Sequence, residues 1–260
     1  MTGHPRGLRL TLAALVALMM VGACGNPPGE PAASESTDAA PITVFAAASL
    51  TEAFSQIGSE FEARSGTTVT FNFGSSATLA IQINAGAPAD VFAAASAETM
   101  KTVIEAGGAG PAVDFASNML QIAVPAGNPG QVTGLKDFAD QSKAIAICAP
   151  QVPCGAAAQK VFAAAKITGK PDTLEQDVKA VLAKVAADEV DAALVYRTDV
   201  IAAADEVEGI DFAEAGQAVN RYPIVVPTAS ENPGGARAFV DYVGSPEGQA
   251  VLTKAGFARP

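Results

Sequence analysis

The sequence predicts an α/β protein with two lobes, each built on a mixed, mostly parallel sheet, and two observations support this. Short apolar, β-branched segments alternate with segments of helical periodicity from residue 42 onward, which is typical of sheets covered by helices. The alternation falls into two series, 42–121 and 122–224. We therefore predict lobe 1 from residues 42–121 plus 225–260 and lobe 2 from residues 122–224. Two hinge crossings would leave a ligand cleft between the lobes.

The residues before the first predicted strand are typical of an export signal. Arg6 and Arg9 precede an apolar run, 10–21, which is too short for an ordinary membrane-spanning helix. The run ends in Val-Gly-Ala-Cys24, which resembles the lipobox of bacterial lipoproteins. That resemblance implies a signal peptide over 1–23 and lipidation of Cys24, although an ordinary secretory signal with an incidental cysteine is the alternative. We predict that residues 24–41 form a flexible tether, because they have almost no large apolar side chains that could form a core.

The first strand and helix place a serine where anions often bind. Residues 42–45 predict a buried strand, and apolar residues then recur at helical spacing through Phe61. Ser49 and Glu52 form a capping-box pattern. Ser49 is thus expected at a helix N-terminus, where free amides and the helix dipole favour negative charge. A plain helix cap is the alternative for this serine.

A related junction follows twice more along the first series. A strand over 69–73 ends at Gly74-Ser75-Ser76 and leads into a helix. Residues 91–96 then repeat residues 44–49 exactly in type and order, as Val-Phe-Ala-Ala-Ala-Ser. We predict from this repeat a second strand-to-helix unit, parallel to the first.

The second series continues the alternation. Strands are predicted over 119–124, 143–148, 192–196 and 222–226, and helices over 155–166, 178–185, 234–243 and 246–255. Cys154 and Val178 come at the starts of two of these helices. They are junctions of the same kind as Ser49 and Ser76.

Composition excludes several kinds of chemistry. The only histidine is His4, within the predicted signal, so the exported chain has no imidazole for a catalytic triad, a metal site or acid–base work. Two cysteines besides Cys24 are too few for a thiolate zinc site, and no P-loop occurs. A formal net charge of −11 argues against nucleic acid as a partner. An exported binder is favoured, while a serine–lysine surface hydrolase and a structural lipoprotein remain alternatives.

Three segments of the first series form a distinctive set, namely Ile-Thr-Val-Phe-Ala-Ala-Ala-Ser-Leu-Thr at 42–51, Ser-Ser-Ala-Thr-Leu-Ala at 75–80 and Gly-Ala-Pro-Ala-Asp at 86–90. Together they resemble the molybdate-binding proteins of bacterial ABC importers. Shorter matches lie at 152–155, 177–178 and 194–196. The resemblance implies a type II periplasmic binding protein that captures molybdate, and also tungstate, without being an enzyme. This sequence departs from the family pattern at Cys154, where alanine is common, and at Ala77, where serine is common.

The resemblance also implies a set of ligand-binding residues. By motif these are Ser49, Ser76, Cys154, Val178 and Tyr196. They would supply hydroxyl groups and backbone amides to one oxyanion, with no protein-ligated metal cation and no cofactor. Lys179 follows Val178 and could act as a charge partner, but we expect it to be a solvated helix residue.

Cys148 and Cys154 are near each other in a chain expected in an oxidising compartment. A disulfide bracing the ligand loop is one interpretation, and two buried thiols are the other. As partners the resemblance implies an ABC permease with its ATPase. We expect a monomer, lipid-anchored to the outer face of the cytoplasmic membrane. Another oxyanion such as sulfate is the alternative ligand.

Overall fold

The computed structural model describes residues 40–260. Strands β1 to β10 are Ile42–Ala47, Val69–Gly74, Val91–Ala93, Val113–Asn118, Leu120–Pro125, Ile145–Cys148, Thr173–Glu175, Ala192–Tyr196, Val207–Ile210 and Asn220–Val225. Helices α1 to α8 are Thr51–Ser65, Ser76–Asn84, Ala97–Glu105, Pro153–Ala165, Val178–Ala186, Arg197–Ala202, Pro233–Gly244 and Pro246–Lys254. Short 3₁₀ turns occupy Ala48–Leu50, Leu135–Ala139 and Ala213–Ala218. The predicted signal peptide, the lipidation site Cys24 and all but the last two residues of the predicted tether lie outside the described residues.

Two five-stranded sheets confirm the predicted two-lobed α/β architecture. The first has the order β2-β1-β3-β10-β4, and the second has the order β7-β6-β8-β5-β9. In each sheet three neighbouring strands pair parallel, and the remaining two strands, β10 and β4 in the first sheet and β5 and β9 in the second, pair antiparallel. The carboxyl ends of the parallel strands lead into helices, so each lobe presents helix N-termini at one edge of its sheet.

The chain crosses between lobes at Met119 and Val219, not after residues 121 and 224 as the sequence predicted. Leu120 already pairs with Tyr196 in the second sheet, and Asn220 already pairs with Asn118 in the first. The prediction was wrong at these two boundaries because it did not include β4. That strand begins with two exposed residues and carries polar side chains, so it lacks the apolar signal of a strand. Without β4, the strand near Tyr222 had no visible partner in lobe 1.

Each lobe has its own apolar core. In lobe 1, helix α1 buries Phe54, Ile57 and Phe61 against the first sheet. Phe54 packs against Phe115 and Phe239, with ring centroids 5.6 and 5.9 Å apart. In lobe 2 the core is mainly aliphatic. Burial of these side chains fixes α1 on the sheet and so fixes the turn that precedes it.

The repeated segment forms the predicted second parallel unit. β3 pairs parallel with β1, and Val44 lies opposite Val91. Ser96 caps α3, because its hydroxyl accepts a hydrogen bond from the amide of Thr99 at 3.1 Å. Over residues 40–260, no helix has both the length and the apolar character needed to cross a membrane.

Candidate anion-binding site

A small cavity lies between the two lobes. Its wall includes all five residues that the sequence resemblance selected, namely Ser49, Ser76, Cys154, Val178 and Tyr196. The volume of the cavity is about 20 Å³. That is more than one water molecule requires and far less than an organic solute requires. The wall therefore fits a compact species of a few atoms.

Ser49 reaches the cavity from a 3₁₀ turn, and not from a helix cap as the capping-box pattern predicted. The turn Ala48–Leu50 links β1 to α1 and receives no side-chain cap. The Ser49 hydroxyl lies 2.9 Å from the hydroxyl of Tyr222. Glu52, the other residue of the capping-box pattern, pairs with Lys179 instead. Because no helix amide occupies it, the Ser49 side chain is left to face the cavity.

Ser75 and Ser76 begin helix α2, directly after the strand that neighbours β1 in the same sheet. The Ser76 hydroxyl accepts a hydrogen bond from the amide of Ala95 at 3.0 Å, so its own proton is free to be donated. Ser75 is the N-cap residue but makes no cap bond, and its buried hydroxyl has no partner within the described residues. Sequence reasoning missed Ser75, although its place before a helix start was a visible signal.

Helix α4 presents amides without partners because of its own sequence. Val152 at the N-cap has no side-chain acceptor, and Pro153 at the first position has no N–H. The amides of Cys154 and Gly155 therefore have no intrahelical acceptor. A side chain at Gly155 would collide with the carbonyl oxygen of Ala149, so only glycine allows this close return of the loop.

A disulfide joins Cys148 at the end of β6 to Cys154 in the first turn of α4. The Cα atoms of the two cysteines are 5.6 Å apart, within the ordinary range for this bond. Of the two interpretations, the structure has the disulfide rather than two buried thiols. It ties the first turn of α4 to the rigid sheet.

Helix α5 leaves one amide free by a different arrangement. The carboxylate of Asp177, its N-cap, accepts hydrogen bonds from the amides of Lys179 at 2.9 Å and Ala180 at 3.0 Å. The amide of Val178, at the first helical position, is not used by this cap. Asp177 also lines the cavity, and both capping amides bond to the same oxygen of its carboxylate, Oδ1.

Tyr196 closes the cavity from the end of β8. Its hydroxyl accepts a hydrogen bond from Nδ2 of Asn220 at 3.0 Å, which leaves the phenolic proton available. Burial raises the pKa of Tyr196 well above its ordinary value, so the phenol is a neutral donor at physiological pH. Because Asn220 belongs to lobe 1, this contact also crosses the cleft.

Two hydroxyl groups of the site, those of Ser76 and Tyr196, share one property. A fixed donor of the protein occupies the oxygen of Ser76 and that of Tyr196, which directs each proton elsewhere. Together with the helix amides, this makes a cavity wall rich in hydrogen-bond donors. Within residues 40–260 no group of three or more acidic, cysteine or histidine side chains is placed to hold a metal ion. Such a wall suits a compact anion.

Lys179 is not the solvated residue that the sequence predicted. Its side chain is 25% exposed and its ammonium group lies between two carboxylates. The prediction was wrong because the partners, Glu52 and Asp199, come from distant parts of the chain. Lys179 is absent from the cavity wall. The carboxylates of Glu52 and Asp199 neutralise its charge.

Two α/β lobes closed over a small central cavity define the class of two-lobed solute receptors. The chain belongs to the family of bacterial extracellular solute-binding proteins, whose model matches residues 42–258. It is accordingly an extracytoplasmic solute-binding protein and not an enzyme.

Named relatives support this assignment. The molybdate-binding protein ModA of Mycobacterium tuberculosis is 39% identical over 260 residues, covering 98% of this chain and 100% of the relative. The solved periplasmic molybdate-binding protein of Azotobacter vinelandii is 23% identical with a TM-score of 0.73, covering 84% of this chain and 99% of that one. The solved sulfate-binding protein SubI of M. tuberculosis is 17% identical with a TM-score of 0.74, covering 85% and 87%. At these identities the two structures show a shared fold alone.

Proposed function

We propose that this protein captures molybdate, and also tungstate, outside the cytoplasm and delivers it to an ABC importer. The single observation that supports this most is the small cavity between the lobes, whose wall carries hydroxyl groups and helix N-termini at the positions where the sequence resembles molybdate-binding proteins. A relative whose whole length matches 98% of this chain bears the name molybdate-binding protein ModA. No cofactor is required, because the oxyanion is the ligand and the protein supplies the hydrogen bonds.

The ligand is held in this proposal by Ser49, Ser76, Cys154, Val178 and Tyr196. The serines and the tyrosine donate through hydroxyl groups, and the serines, Cys154 and Val178 donate through backbone amides. The first turns of α2, α4 and α5 add the positive ends of their dipoles. In a closed site these local dipoles outweigh the overall negative charge of the chain, which salt screens within about 8–10 Å.

The donor wall explains rejection of phosphate. Near neutral pH phosphate keeps a proton, which needs an acceptor, and the one carboxylate among the lining residues, that of Asp177, serves as the cap of α5. Leaving that hydroxyl unpaired costs roughly 1–3 kcal/mol or more. Sulfate has no such proton, so the size of the cavity must separate it from the larger molybdate and tungstate anions.

The remaining parts of the proposal concern the surroundings of the protein. A permease with its ATPase subunit receives the ligand, and a lipid on Cys24 holds the receptor at the outer face of the cytoplasmic membrane. The receptor acts as a monomer, since the cavity is complete within one chain. These statements depend on the sequence resemblance and on the lipobox-like motif.

A thermal-shift screen tests the ligand class. Molybdate and tungstate at about 1,000 times their Kd should stabilise the folded protein by about 4 kcal/mol, while phosphate has little effect. A large shift with sulfate and none with molybdate would replace molybdate by sulfate. No shift with any oxyanion would contradict the proposed function.

A further inference from the structure

A lysine joins the two lobes beside the cavity. Lys179 is the second residue of α5 in lobe 2. Its ammonium nitrogen lies 2.8 and 2.9 Å from the two carboxylate oxygens of Glu52, on α1 in lobe 1. The same nitrogen lies 3.1 Å from Oδ1 of Asp199, on α6 in lobe 2. We name these three residues the Lys179 cluster.

The position of Lys179 is costly without its partners. The N-terminus of a helix is the positive end of its dipole, which disfavours a cation there. Burial would lower the pKa of Lys179, but the charges of Asp199 and Glu52 outweigh burial and raise it. Burial in turn raises the pKa of Asp199 to about 6, against the opposing effect of Lys179. The lysine therefore remains charged and depends on both carboxylates.

Each member of the cluster lies next to a proposed ligand residue. Glu52 comes one helical turn after Ser49, and Lys179 directly follows Val178. Oδ2 of Asp199 accepts a hydrogen bond from the amide of Tyr196 at 3.0 Å. The cluster thus connects three walls of the cavity without entering it.

We propose that Lys179 is a positioning residue that couples lobe closure to retention of the ligand, an inference that rests on the proposed function. Separation of the lobes must break the contacts with Glu52, whereas Asp199, in the same lobe, keeps the lysine in place. The contact with Glu52 therefore adds to the barrier for opening. Its effect belongs to the dissociation rate more than to the association rate.

A second ion pair across the cleft provides a matched control. Lys160 on α4 lies 3.9 Å from Glu98 on α3, and the two side chains are 59% and 78% exposed. Exposed pairs of this kind contribute little. The Glu52 carboxylate, by contrast, makes two short bonds to a lysine that is three-quarters buried.

The test uses Glu52→Gln, because Glu52 is half exposed and its loss leaves Lys179 paired with Asp199. Molybdate dissociation is measured by stopped-flow tyrosine fluorescence, since the chain has three tyrosines and no tryptophan. We expect the dissociation rate to rise on the order of tenfold, with the melting temperature of the ligand-free protein unchanged. Lys160→Met should change the rate less than twofold.

Two further variants distinguish positioning from a general structural role. Lys179→Arg should retain slow dissociation, whereas Glu52→Gln placed in a Lys179→Met background should add nothing to the effect of Lys179→Met. Salt should accelerate dissociation from the wild type and not from Glu52→Gln. Wild-type binding with an unchanged dissociation rate in Glu52→Gln would overturn the positioning role alone. A wild type that binds none of the oxyanions would overturn the proposed function and this inference with it.

Discussion

Two serines in the same local sequence have different roles, so the residue type and its neighbours in sequence do not decide the role of a serine. Ser49 and Ser96 each end a Val-Phe-Ala-Ala-Ala-Ser segment. Ser96 caps α3 through the amide of Thr99, whereas Ser49 contacts Tyr222 and lines the cavity. The difference comes from Tyr222, which is 173 residues away from Ser49. Local sequence could place both serines after a strand but could not tell the cap from the candidate ligand residue.

This difference leads to a prediction for single hydroxyl groups. Ser49→Ala and Ser76→Ala should each weaken molybdate binding by about 1.5–3 kcal/mol, because each removes a hydrogen bond to a charged group. Ser96→Ala is the control, since it should cost about 0.5–2 kcal/mol of stability through the lost cap and leave affinity unchanged. Isothermal titration calorimetry gives the affinities and urea unfolding gives the stabilities. Unchanged affinity in both Ser49→Ala and Ser76→Ala would contradict the assignment.

At the scale of elements, helices α4 and α5 each bring an amide without a capping partner to the cavity, and they do so by different means. Helix α4 uses Pro153 and a side chain without an acceptor at Val152, whereas α5 uses a cap that serves only its second and third amides. The starts of these helices were predictable, because caps and prolines are local signals. Strands β4, β7 and β9 were missed, since they are short or partly exposed. Their pairing depends on neighbours distant in sequence.

The disulfide at the start of α4 carries a prediction at this scale. Replacing both Cys148 and Cys154 by alanine should lower the free energy of unfolding by about 2 kcal/mol, because the unfolded chain loses a short covalent loop. Molybdate affinity should fall as well, since the first turn of α4 is no longer tied to β6. Wild-type protein treated with a reductant provides the comparison. A double variant as stable and as tight in binding as the oxidised wild type would contradict a bracing role.

At the scale of the whole molecule, the cavity lies where the two lobes meet, and the chain crosses between these lobes twice. Tyr196 from lobe 2 contacts Asn220 from lobe 1, and the Lys179 cluster makes a second connection. The sequence could predict two lobes and five residues around one cavity. It could not predict these contacts across the cleft, because no local sequence pattern links the two residues that each contact joins. The misplaced crossings have the same origin, since β10 belongs to lobe 1 only through its partners β3 and β4.

The central claim is that one tetrahedral oxyanion lies in this cavity, held by neutral donors from both lobes. The most direct measurement is an anomalous difference map at the molybdenum absorption edge, from a crystal grown with molybdate. The account predicts one strong peak between the lobes, with oxygen atoms about 2.7–3.2 Å from donors of Ser49, Ser76, Cys154, Val178 and Tyr196. A crystal grown with phosphate instead should show no bound anion there. A molybdenum peak elsewhere on the protein, with this cavity empty, would contradict the account.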